Sequence, residues 1–223
     1  MDEQVDEPVA AVELAEIGPG MTAEAAFRHI AQRCGAEIDA HLAFVLDRDD
    51  PEGPHKARVW LRRLVTALDA FGPILKRRAT AGLRDEAKAI FRELGKLRDR
   101  DVMMARLDAA DVSPKLRDAS ARLREKVRMR LRERNAVLFS PVMLRAVDEG
   151  ALFRTGPAAL VLRAGPVDDI AVEALDLAWE TCAKQKADLR RLPPEVLHGF
   201  RKRLKTLRYL SEFFAPFLIA QGA

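Results

Sequence analysis

The stretch HGFRKRLKTLRYLSEFF, residues 198–214, sets His198, Arg201, Lys202, Arg203, Lys205 and Arg208 within about three turns of an α-helix. Like charges at such spacing repel, so the helix gains little from them without an anionic partner. Arg and Lys donate charge-assisted hydrogen bonds to phosphate and carboxylate oxygens, and His joins them when protonated or as an N–H donor. Such a row has the chemistry of an oxyanion receptor, and so many neighbouring cations require several oxyanions at once.

Successive helical residues lie about 100° apart, which gathers His198, Arg201, Lys205, Arg208 and Glu212 into an arc of roughly 80°. Leu204, Leu207, Leu210 and Phe214 occupy the neighbouring arc, the face expected to be buried. The segment HKARVWLRRLVTALDAFGPIL (55–75) repeats this design without gaps against HGFRKRLKTLRYLSEFFAPFL (198–218). His55 aligns with His198, Arg58 with Arg201, Leu61 with Leu204, Leu64 with Leu207, Phe71 with Phe214, Pro73 with Pro216 and Leu75 with Leu218. Arg62 aligns with Lys205 and Asp69 with Glu212, each keeping its charge. A lone basic helix usually has a merely solvated face. Packing gives no reason for a histidine-led basic row to recur in register, so the chain reads as two related halves.

A third basic row lies in RLREKVRMRLRER (122–134), where Arg124, Arg128 and Arg132 recur every four residues beside Leu123, Val127 and Leu131. His29 and His41 lead no such row and read as structural. Cys34 and Cys182 are too few and too far apart for a disulfide framework or a metal cluster, and read as buried thiols.

The elements that must position these rows are helical throughout. Thr22 caps a helix running through AEAAFRHIAQRCGAEIDAHLAFVL, which DRDDPEGP (47–54) breaks. A second helix spans about 55–71, a third about 79–110 with LGKLRDRDV, and a fourth follows Pro114. Residues 140–168 are mixed, with a short helix near PVMLRAVDEGALF and Gly-Pro pairs at 156–157 and 165–166. Another helix spans about 168–191, and the last begins near Glu195 after Pro193-Pro194. No run alternates as a strand would. The fold class is all-α.

With 48% hydrophobic and 32% charged residues among 223, the chain has the material for a core, and no apolar run approaches a membrane span. Residues 1–16 hold six acids and no base, unlike the basic start of a signal peptide, so a cytoplasmic protein is expected. Residues 1–20 are expected to be an acidic tail. Beyond the first sixteen residues 38 bases face 28 acids, an excess of ten, and 28 of the bases are arginine, whose planar fork suits phosphate.

The two repeated helices resemble those of the CHAD family, the conserved histidine α-helical domain. Its signature is a histidine with Arg at i+3 and Arg or Lys at i+7, once in each half, ending in LRY and a glutamate in the second. Here His55, Arg58, Arg62 and Arg63 match the first half, and His198, Arg201, Lys205, Arg208, Tyr209 and Glu212 the second. LGKLRDRDV, with Arg98, Asp99 and Asp101, is similar to the family's LGxxRDxDV segment. The resemblance covers roughly 20–218. It implies two helical bundles related by a pseudo-two-fold, here about 21–140 and 141–223, with a basic groove or pore between them. It also implies a non-catalytic module for inorganic polyphosphate, associated with polyphosphate granules. Some relatives of this kind carry a CYTH domain, whose ExExK strands are not found in this sequence. The second half shows no counterpart of the helix bearing LGKLRDRDV, so its bundle is expected to be truncated, completed by a homodimer or left open.

On this reading the polyphosphate-binding residues are His55, Arg58, Arg62, Arg63, Arg98, Arg124, Arg128, Arg132, His198, Arg201, Lys202, Lys205, Arg208 and Tyr209, with no cofactor and no metal. Nonspecific nucleic-acid binding is the alternative, since any basic groove attracts phosphates. Base-stacking aromatics are sparse beside the rows, Tyr209 alone being placed there, which favours a polymer without bases. Catalysis through a phosphorylated His55 or His198 finds no P-loop and no HExxH motif in support.

Overall fold

The computed structural model describes residues 17–18, 20–107, 112–185, 189 and 192–215. The expected acidic tail and the end of the repeat at Pro216 and Leu218 lie outside the described residues. Among those described, eight α-helices follow one another: α1 Ala23–Asp47, α2 Glu52–Ala70, α3 Arg77–Ala105, α4 Pro114–Glu133, α5 Phe139–Asp148, α6 Pro157–Ala164, α7 Asp168–Ala183 and α8 Pro194–Phe213. No β-strand occurs among them, only two isolated bridges. None of these helices is long and apolar enough to cross a membrane.

Local chemistry explains most boundaries. The Thr22 hydroxyl accepts the Ala25 N–H at 3.2 Å, satisfying one orphan donor of α1. The break at DRDDPEGP is shorter than expected because Asp50 accepts the Glu52 N–H at 2.8 Å and starts α2 there. Pro54 falls in the first turn, where its missing N–H costs nothing. Ser113 caps α4 through the Leu116 N–H, with Pro114 at its first position. Asn135, at φ 51°, takes the left-handed conformation that ends α4. The mixed segment proved more ordered than expected: α6 lies between the two Gly-Pro pairs, with Pro157 pre-set for its first turn. In turn α7 stops at Ala183, short of the expected 191.

Helix α2 is the axis of the packing, with α1, α3, α7 and α8 around it. Helices α5 and α6 turn back onto α1. Lys76 and Arg154 N–H groups donate across to Leu152 O at 2.7 Å and Ile74 O at 2.9 Å, pinning the end of α5 to the α2–α3 turn. A file of buried rings runs through the core: Phe153 to Phe27 at 5.7 Å, Phe27 to Phe71 at 5.4 Å and Phe71 to Phe214 at 6.2 Å. The last pair joins equivalent positions of the two repeats, so the repeated helices meet through their own matching phenylalanines.

The equivalence is not complete. Leu61 is 1% exposed, whereas its counterpart Leu204, expected on a buried face, is 42% exposed. The reason lies in the neighbours, since α8 packs mainly on α2 and α7 while α2 has helices on all sides.

Candidate functional site

The basic row of α2 rests on α3. The Arg58 guanidinium lies over the Phe91 ring at 4.1 Å and donates to the Phe91 carbonyl at 3.4 Å. Arg62 lies over the same ring at 5.1 Å. One face of α3 carries Phe91, Gly95 and Arg98 at helical spacings of four and three, so all three address α2. Burial presses the Arg58 proton affinity below its ordinary value; nearby Asp99 opposes this, and the charges of Arg62 and Arg98 add to it. Three guanidiniums from two helices are therefore close enough to feel one another. Arginine stays charged at any relevant pH, so the mutual repulsion is a standing cost that an anion would relieve.

The row of α8 carries His198, Arg201, Lys202 and Arg208 in exposed positions and Lys205 in a half-buried one. His55 on α2 is half-buried. Helix α8 also packs on α2, and Glu212 ties the two helices together. It accepts from Arg63 of α2 and from Arg208 of its own helix, the latter at 2.7 Å. Arg63, 5% exposed, is sandwiched between Trp60 at 4.5 Å and Tyr209 at 5.3 Å. Arg63 and Tyr209 thus form a joint between α2 and α8, and the buried tyrosine ring is occupied by a cation. Asp69, the repeat counterpart of Glu212, is likewise taken by an arginine of another helix, Arg84, at 2.9 Å.

The row of α4 does different work. Arg128 is buried and donates to Val45 O, Arg48 O and Asp49, each at 2.8 Å, and to Glu125 at 2.6 Å. Arg132 reaches Leu46 O at 3.4 Å. These acceptors include orphan carbonyls at the end of α1, which has no basic residue in its last turn. The α4 arginines supply that missing cap from another element. Burial disfavours the Arg128 charge, but Glu125 and Asp49 outweigh it and hold the proton more tightly than usual. Arg124 donates to Asp101 of α3 at 2.8 Å. Burial nonetheless raises the Asp101 carboxyl above its ordinary range, against Arg124 and Arg98, with Asp50 adding to the rise.

The structure thus gathers Arg58, Arg62 and Arg98 at the α2–α3 face, with His55 half-buried on α2, and carries His198, Arg201, Lys202, Lys205 and Arg208 along α8. It sets Arg128 and Arg132 against the end of α1, while Arg124 bridges Asp101 of α3 and Asp49. Sequence reasoning did not single out Phe91 or Gly95, although their spacing of four within FRELGKLRD carried the signal. His41 sits on α1 beside Glu37 at 3.4 Å, its proton affinity lowered by burial and partly restored by that carboxylate. Cys34 and Cys182 are both buried and free.

A family model described as CHAD domain matches residues 29–223. No curated protein matches the chain significantly. Among solved structures, the CHAD domain from the plant Ricinus communis superposes with a TM-score of 0.68 at 22% identity. The match covers 87% of this chain and 66% of that one, so this chain spans about two-thirds of the plant domain's length. At that identity the likeness speaks for the fold alone.

Proposed function

The chain belongs to the CHAD domain family, and from that premise we propose that it binds inorganic polyphosphate without catalysing a reaction. The observation that carries this reading is the cluster of Arg58, Arg62 and Arg98. Elsewhere Arg28, Arg33, Arg84, Arg130, Arg134 and Arg163 each meet a carboxylate. Arg58 and Arg62 instead rest on a neutral ring; the Asp99 charge favours the Arg58 cation, and Arg62 and Arg98 oppose it. Cations held so are arranged for an external polyanion with closely spaced charges, and the row of α8 extends the receptor. A linear phosphate polymer supplies that charge density without bases. The ring beneath the arginines is half-buried and capped by them, and Tyr209 is buried, so neither offers a base a free face to stack on.

The test is competition binding at near-physiological salt. Labelled long-chain polyphosphate is displaced by unlabelled polyphosphate, single-stranded DNA, duplex DNA or heparin at matched charge. Preference for polyphosphate is expected, with Arg58→Glu or Arg201→Glu weakening it far more than Lys115→Glu. Each lost phosphate contact should also lower the slope of log K against log salt by about one. Equal displacement by every polyanion, with equal losses in all three variants, reduces the rows to a nonspecific basic surface.

The assembly in this reading is a homodimer, and its place in the cell the polyphosphate granule. Helices α7 and α8 leave Val172, Leu177, Trp179, Val196 and Leu204 in solvent, and a second copy would cover them. Sedimentation velocity at micromolar protein checks this; a monomer at every concentration refutes it.

A further inference from the structure

Gly95 lies where the Arg58 side chain crosses α3. A Cβ built there would stand 2.2 Å from Arg58 Nη1 and 3.4 Å from its Cζ. The first distance is far inside van der Waals contact, and the atom met is the end of a flexible side chain. An alanine at 95 would therefore be accommodated by moving the guanidinium, with the helix left intact. Phe91, one turn earlier, completes the arrangement by placing its ring under both Arg58 and Arg62. A neutral ring and a missing Cβ hold two like charges at fixed positions without neutralising either.

We propose that Gly95 and Phe91 are positioning residues, a seat on α3 that sets the Arg58 and Arg62 guanidiniums in register for successive oxyanions of a phosphate chain. This rests on the polyphosphate reading above. A glycine inside a 29-residue helix is otherwise unfavourable, since it frees the backbone of the unfolded chain and packs nothing. The gap over Arg58 gives that choice a physical use. Pre-setting matters because a side chain fixed before binding loses less freedom on binding.

The experiment compares wild type, Gly95→Ala, Arg58→Ala, the double variant and Phe91→Leu, all as the full chain. Thermal melting should place Gly95→Ala at or above wild type, because alanine favours the helix. Its polyphosphate affinity should nevertheless fall by about tenfold, the scale of one misplaced charged contact. In the Arg58→Ala background the same glycine change should have no further effect. Phe91→Leu, which keeps apolar bulk but loses the ring face, should lower affinity by about threefold. Without ligand, modification of Arg58 by an arginine-selective dicarbonyl, mapped by mass spectrometry, should rise in Gly95→Ala. If Arg58→Ala weakens polyphosphate binding and Gly95→Ala does not, the seat is overturned while the function stands. An equal Gly95→Ala loss with and without Arg58 overturns it too. If Arg58→Ala itself leaves binding unchanged, the functional reading fails first. The dicarbonyl result then judges the seat alone: increased modification upholds it, unchanged modification overturns it.

Discussion

Replacing Arg63 by methionine tests whether the joint between α2 and α8 is structural. The variant loses a charge-assisted hydrogen bond to Glu212, worth about 1.5–3 kcal/mol. It also loses cation–π contacts with Trp60 and Tyr209, about 0.5–1 kcal/mol each. The thioether stem keeps much of the apolar packing between the two rings and returns about 1 kcal/mol. Glu212 is not stranded, because Arg208 still donates to it at 2.7 Å and the carboxylate is partly exposed. The net loss is about 1.5–4 kcal/mol, or a fall in Tm of about 3–16 °C for a chain of this size. Scanning calorimetry with urea titration measures it. Arg208→Met, which removes the exposed partner, should cost under about 1 kcal/mol. Arg63→Met with Glu212→Leu should recover part of the loss, since a buried pair replaced by apolar groups is often no less stable. A Tm within 2 °C of wild type for Arg63→Met, or equal losses for Arg63→Met and Arg208→Met, would refute the joint, the margin being under about 1 kcal/mol.

Two further outcomes follow from burial. Arg128→Met should destabilise the fold by about 3 kcal/mol, since it strips the cap of α1, yet leave the polyphosphate affinity of the folded protein unchanged; melting and binding measured side by side check both. The buried Cys34 thiol is pushed up to about 12 by desolvation, with Arg63 and Arg33 opposing and Glu37 adding, from an ordinary 9.0. Above pH 9 the unfolded chain loses that proton and the folded one keeps it, so stability should fall toward pH 12 by up to about 1.4 kcal/mol per pH unit. Cys34→Ala should show a shallower decline in urea titrations across that range.

The helices and their starts were legible because capping and periodicity act within one element. Thr22 and Ser113 hold their caps as their types predict. The helix between the Gly-Pro pairs was missed because its eight residues give too short a period to weigh against two breakers. The repeat was legible as well, and Phe71 meeting Phe214 gives its register a physical contact.

The sequence by itself determined an all-α chain, two matching histidine-led basic rows on amphipathic helices, and the family those rows mark. Tertiary structure alone decided what each arginine does. An Arg row every four residues looks the same whether it faces solvent, caps the end of another helix or waits for an anion. The α4 row closes the carbonyls of α1, Arg63 is locked between two rings, and Arg58 lies in the space left by Gly95. Helical periodicity fixes the side of its own helix from which a guanidinium departs. The neighbour packed on that side supplies a carbonyl, a carboxylate, a ring or open water, and that neighbour comes from a distant part of the chain.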